Sequence, residues 1–94
     1  ISASAMSTIA FNILEAIRLR GIKIVVCTVM PIGSGHSYYS MANHQKILDY
    51  NAFLTNYVAT TPNTILSDFY KVIIDPLSTT GQPLSGMLSD NIYI

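Results

Sequence analysis

Ile22-Lys23-Ile24-Val25-Val26-Cys27-Thr28-Val29 decides how this chain folds. Six of these residues are β-branched, which favours a pleated strand. The run is apolar at odd and even positions alike, so both faces of the strand are expected to be covered. Strands of that kind are interior strands of a parallel sheet with helices on either side. The stretch just before it, residues 4–20, has the other periodicity. Met6, Ile9, Ile13, Leu14 and Ile17 recur at intervals of three and four and form one helical stripe. Ser4 or Ser7 offers a cap at the start. Arg18 and Arg20 suit the negative end of the helix dipole, and Gly21 supplies the stop. A helix, a short glycine turn and a strand apolar on both faces are the beginnings of an α/β fold.

Downstream, Pro31, Gly33 and Gly35 break regular structure, so residues 30–40 read as a loop carrying His36, Tyr38 and Tyr39. Residues 41–60 read as a second helix. Its stripe is Ile47, Tyr50, Asn51, Leu54, Tyr57 and Val58, and Pro62 marks its end. Residues 64–69 are expected to form a shorter strand, and residues 75–89, rich in Pro, Gly, Ser and Thr, another loop. Two buried strands do not make a stable domain. Further strands are therefore expected, either upstream in the same polypeptide or from a partner chain. The start Ile1-Ser2-Ala3-Ser4, without an initiator methionine or a basic leader, fits processing or a cut from a larger chain.

Composition narrows the function classes. The 94 residues suffice for one small domain, with 50% hydrophobic and only 11% charged residues. So apolar a short chain is expected to bury some of its surface against something outside it. The formal net charge is zero and there is no basic cluster, which argues against nucleic acid as a partner. The longest apolar run is far shorter than the ~20 residues a membrane span requires. Cys27 is the sole cysteine. It cannot form an internal disulfide, and no Cys/His spacing suggests a metal site. Placed mid-strand, it is expected to be an inert buried thiol, and one such thiol leaves the compartment open.

The order of elements resembles the C-terminal half of the SGNH (GDSL-type) esterases and acylhydrolases. Residues 17–26 are similar to the helix, turn and strand that follow that family's Gly-x-Asn-Asp block. Thr28-Val29-Met30-Pro31 is similar to the end of that strand, and residues 47–54 to the next helix, which carries an asparagine followed by apolar residues. Residues 65–70 resemble the following short strand. Gly86-Met87-Leu88-Ser89-Asp90-Asn91-Ile92-Tyr93 sits where the family has Asp-Gly-x-His. The resemblance implies a three-layer, flavodoxin-like α/β domain of SGNH-hydrolase type, of which residues 1–94 are only part, the C-terminal half. It implies acyl or acetyl ester hydrolysis on a carbohydrate or lipid, by a serine nucleophile outside this chain and with no cofactor. It also suggests a secreted or cell-surface location. Asp90 maps onto the aspartate that orients the catalytic base, and Tyr93 onto the base itself, which is histidine in the family. A phenol with a pKa near ~10 is a poor base at neutral pH. The alternative is a catalytically inactive SGNH-like module for binding or assembly. Another flavodoxin-like or Rossmann-like segment shares the same rhythm of elements. A self-contained small α/β protein that completes its sheet by oligomerising is a third possibility.

Other positions carry weaker expectations. A loop after a strand lies where ligands bind in doubly wound folds, so His36, Tyr38 and Tyr39 are candidates for lining a substrate cleft. Read as a phosphate cradle, residues 31–36 have neither a P-loop lysine nor a third glycine. His44 is expected on the surface of the second helix. Asp68, at the end of the second strand, either points into the cleft or caps a neighbouring loop. Tyr50, Phe53 and Tyr57 read as helix packing rather than a carbohydrate platform.

Overall fold

The computed structural model describes residues 2–33 and 39–84. In chain order the elements are α1 (Ala3–Arg18), β1 (Ile24–Cys27), α2 (Met41–Thr60), β2 (Thr64–Ser67) and α3 (Phe69–Ile73). The two strands are parallel, with Ile24 opposite Thr64 and Cys27 opposite Ser67. The molecule is thus mixed α/β, built around a parallel β1–α2–β2 crossover unit.

α1 starts two residues earlier than a cap at Ser4 would place it, and five earlier than one at Ser7. Ser2 is the cap, and its hydroxyl accepts a hydrogen bond from the Ala5 N–H at 3.1 Å. At the other end Gly21 has φ 74°, the left-handed conformation that its missing Cβ permits. Ser40 caps α2 in the same way by accepting from the Asn43 N–H at 3.0 Å. α2 spans the residues its periodicity predicts. Ile47, Asn51, Leu54 and Tyr57 are its buried positions.

The core is the inward face of the sheet. Ile24, Val26 and Leu54 form its centre, with Leu14 and Ile17 of α1 and Tyr50, Phe53 and Val58 of α2 packed around them. Tyr50 and Phe53 stack at 6.4 Å between ring centroids, and Phe11 of α1 meets Tyr57 of α2 edge-on at 6.1 Å. The aromatic stripe is packing material, in agreement with the sequence. α2 touches both strands, and α1 lies beside α2 against β1. A polar clamp joins the two helices. The Tyr57 hydroxyl donates to Glu15 Oε1 at 3.3 Å, and Arg18 Nε donates to Glu15 Oε2 at 2.8 Å. The Arg18 hydrogen bond holds the Glu15 carboxyl below the ordinary carboxylate range. Burial first, then the charge of Glu15, pushes the Tyr57 phenol above its usual value.

Three expectations need correction. Both faces of β1 were expected to be covered, yet among the described residues only one is. Val25 is 61% exposed and Ile65 of β2 52% exposed on the outer face. Alternating burial along β1 puts Cys27 on that open face too, so its thiol is exposed rather than buried. The strands are also shorter than expected. Ladder pairing ends at Cys27 and Ser67, because Asp68 turns the chain into α3, a five-residue helix too short to leave a periodic signal.

The turn into β2 carries a positive-φ residue, Asn63 (φ 60°), whose carbonyl accepts the Ile24 N–H at 3.0 Å. Asparagine tolerates this conformation better than other residues with a side chain.

Candidate functional site at the carboxyl ends of the strands

Parallel pairing sends the carboxyl ends of β1 and β2 to the same edge, and buried polar groups gather there. Thr28 follows β1 directly. Its N–H donates to the Ser67 carbonyl at 3.1 Å, the last hydrogen bond between the strands. Its hydroxyl donates to Asp68 Oδ1 at 3.0 Å and accepts the Tyr70 N–H, also at 3.0 Å. The same Asp68 oxygen accepts the Lys71 N–H at 3.1 Å and caps α3. Of the two expectations for Asp68, capping is the one the structure shows. Thr28 and Asp68 together fix the start of α3 against the end of β1.

One residue further, Asn51 reaches from α2 and holds Val29 by both backbone groups. Its Oδ1 accepts the Val29 N–H at 2.7 Å, and its Nδ2 donates to the Val29 carbonyl at 2.9 Å. The carboxamide thus replaces a peptide group of a neighbouring strand. Beyond it Pro31 is fully buried and Gly33 is buried, so the chain leaves β1 along a fixed path.

Residues 74–84 form a compact loop at this end. Asp75 Oδ1 accepts the Leu77 N–H at 2.9 Å, an Asx turn, and the Ser78 hydroxyl accepts the Gln82 N–H at 3.0 Å. The loop closes through the Leu84 N–H, which donates to the Ile73 carbonyl at 2.7 Å. Two side chains tie it to the region where α2 begins. The Tyr39 hydroxyl donates to the Thr80 carbonyl at 2.7 Å. The imidazole of His44 lies against Gly81, where a Cβ would fall inside the ring. Gly81 also has φ 75°, so both space and backbone conformation demand glycine there. His44, expected on the helix surface, is half-buried and acts as a packing plate for this loop.

Of the candidate residues, the structure places only Tyr39, half-buried with its hydroxyl engaged by the loop. Asp90, Tyr93, His36 and Tyr38 lie outside the described residues, as do residues 34–36 of the glycine-containing loop. Three groups were missed as site-builders: Thr28, Asn51 and His44. Asn51 did leave a signal, as the lone amide in the apolar stripe of α2. Among the described residues no His, Cys, Asp or Glu set converges as a metal site, and every buried side-chain polar atom has a partner. No protein-family model, curated protein or solved structure matches the chain.

Proposed function

We propose that this chain is the C-terminal part of an SGNH-type, flavodoxin-like ester hydrolase domain, whose serine nucleophile lies elsewhere in the polypeptide. One observation carries the reading. The loop of residues 74–84 leads straight into the Asp90-x-x-Tyr93 block, and Tyr39 and His44 tie it to the carboxyl end of the parallel strands. Ligands of open α/β sheets bind outside that end. On this reading Asp90, which follows the loop in the sequence, has to stand at the rim of such a crevice. Asp90 is then the residue that orients the base, and Tyr93 occupies the base's position. The substrate class is an acyl or acetyl ester on a carbohydrate or lipid, reached without metal or cofactor. His36, Tyr38 and Tyr39 follow β1 in the sequence and remain the candidates for the cleft wall.

Tyr93 itself favours a second reading. A phenol does not accept a serine proton readily at neutral pH, and loss of one triad member typically costs ~10⁴-fold in rate. The alternative is therefore an SGNH-like module that binds or assembles without catalysis. Hydrolysis of short p-nitrophenyl acyl esters by the native polypeptide separates the two, with Tyr93→His measured beside it. Activity that Asp90→Asn abolishes supports a working enzyme. Silence that Tyr93→His relieves by 10²-fold or more supports a hydrolase site that has lost its base. Silence in both proteins rejects the hydrolase and leaves the inert module.

A further inference from the structure

Helices packed side by side lie roughly 8–10 Å apart, whereas strands in a sheet are about 4.8 Å apart. One helix therefore roofs two strands. α1 and α2 lie abreast on one face and roof more width than the two strands of the described sheet fill. α2 touches both of them and α1 touches β1, so the unfilled width lies under α1, beyond the free edge of β1. A groove of about 550 Å³ runs there. Met6, Ile9 and Ile13 of α1 and Val25 and Cys27 of β1 line it, it reaches inward as far as Leu54 of α2, and no charged residue borders it. Ile9 and Ile13, members of the stripe expected to be buried, are 53% and 56% exposed into this region.

Backbone parity gives the groove its chemistry. In a strand the N–H and C=O of one residue point to the same side, and successive residues alternate. The Ile24 and Thr28 N–H groups bond to the β2 side. Val25, Cys27 and Val29 therefore point away from β2. Asn51 takes both groups of Val29, leaving those of Val25 and Cys27 directed at the groove. Neither lysine nor proline blunts this edge within β1, as edges that stay bare in water usually require.

The geometry points to a docking lane for one apolar β-strand, parallel to β1, supplied by the polypeptide immediately N-terminal to α1. The strand pairs with the backbone of Val25 and Cys27 and stops where Asn51 closes the edge. α1 is then its crossover helix, just as α2 is the crossover helix of β1 and β2. A second copy of the chain does not fit the lane. Pairing β1 with its twin would crowd four helices, roughly 36 Å of them, over four strands about 19 Å wide. A strand whose only roof is α1 brings no helix of its own to that face. This inference is independent of the ester chemistry.

Two measurements on the native polypeptide test it. Residue-resolved amide hydrogen exchange should find Val25 and Cys27 protected at least 10³-fold in the monomer, alongside Val26. A photo-crosslinking residue, Ile9→p-benzoylphenylalanine, should capture a peptide that precedes Ser2 in the same molecule. Exchange of Val25 and Cys27 at free-peptide rates overturns the proposal. So does protection that appears only when a homodimer forms, or a crosslink to residues 85–94 or to another chain.

Discussion

Replacing Asn51 with alanine removes both hydrogen bonds that hold Val29. Each such bond contributes about 1 kcal/mol net, and truncating a buried side chain adds about another. The loss is then about 3 kcal/mol, a large part of the ~5–15 kcal/mol by which a native domain is stable. Urea unfolding with a slope of ~1 kcal/mol/M should show the midpoint falling by about 2–3 M. Asn51→Asp is the sharper probe. Ionised, it still accepts the Val29 N–H but turns a second oxygen towards the Val29 carbonyl. Protonated, it regains a donor. The folded state therefore favours the neutral acid and raises its pKa above the unfolded ~3.9. A group raised in this way stabilises fully below the unfolded pKa, and its contribution disappears as pH rises through the folded value. Asn51→Asp should therefore approach the parent at pH 4 and fall well behind it at pH 7. A midpoint shift below ~0.5 M for Asn51→Ala, or no difference between the two pH values for Asn51→Asp, would mean that water replaces the amide and that the clamp does not fix β1.

Thr28→Val keeps the shape but strands the Tyr70 N–H and frees Asp68. Urea unfolding should show about 1–2 kcal/mol lost, with exchange at the Tyr70 and Lys71 amides accelerated more than in α2. Gly81→Ala should destabilise by more than the ~1–2 kcal/mol of a left-handed alanine, because His44 also has to move. Adding His44→Ala should recover the steric part in a double-mutant cycle, and strict additivity would refute the contact. Arg18 depresses the Glu15 carboxyl, so its stabilisation is present above the unfolded pKa and lost as pH falls through the folded one. Glu15→Gln should flatten that acid limb in thermal melts between pH 3 and 6, and an unchanged limb would assign it to other carboxylates.

Much of this fold was legible in the chain, and the gaps have physical causes. α2 matched its periodicity because it carries both stripe and punctuation, from Ser40 to Pro62. β1 was found but overextended. Val29 is β-branched like its neighbours, but β2 ends at Ser67, where Asp68 turns the chain into α3. Val29 therefore has no strand partner on that side, and Asn51 takes its backbone groups on the other. Cys27 was misplaced because an apolar run does not reveal whether both faces have a cover. α3 has no period to detect, although Asp68 before Phe69-Tyr70-Lys71 is a legible cap. In the candidate site, sequence singled out residues by chemical type, namely Asp90, Tyr93, His36, Tyr38 and Tyr39. It passed over Thr28, Asn51 and His44, whose work depends on distances no spacing encodes.

Asn63 has a consequence out of proportion to its place in a turn. Its carbonyl receives the first rung from Ile24, so the left-handed bend that aims this carbonyl also sets the phase of the whole ladder. Slippage by a single residue would exchange Ile24 and Val26 for Val25 and Cys27 on the face beneath the helices. A cysteine would then stand where the core needs a valine. The connection that precedes β2 thus works with the apolar pattern of β1 to choose which face of the sheet lies inside.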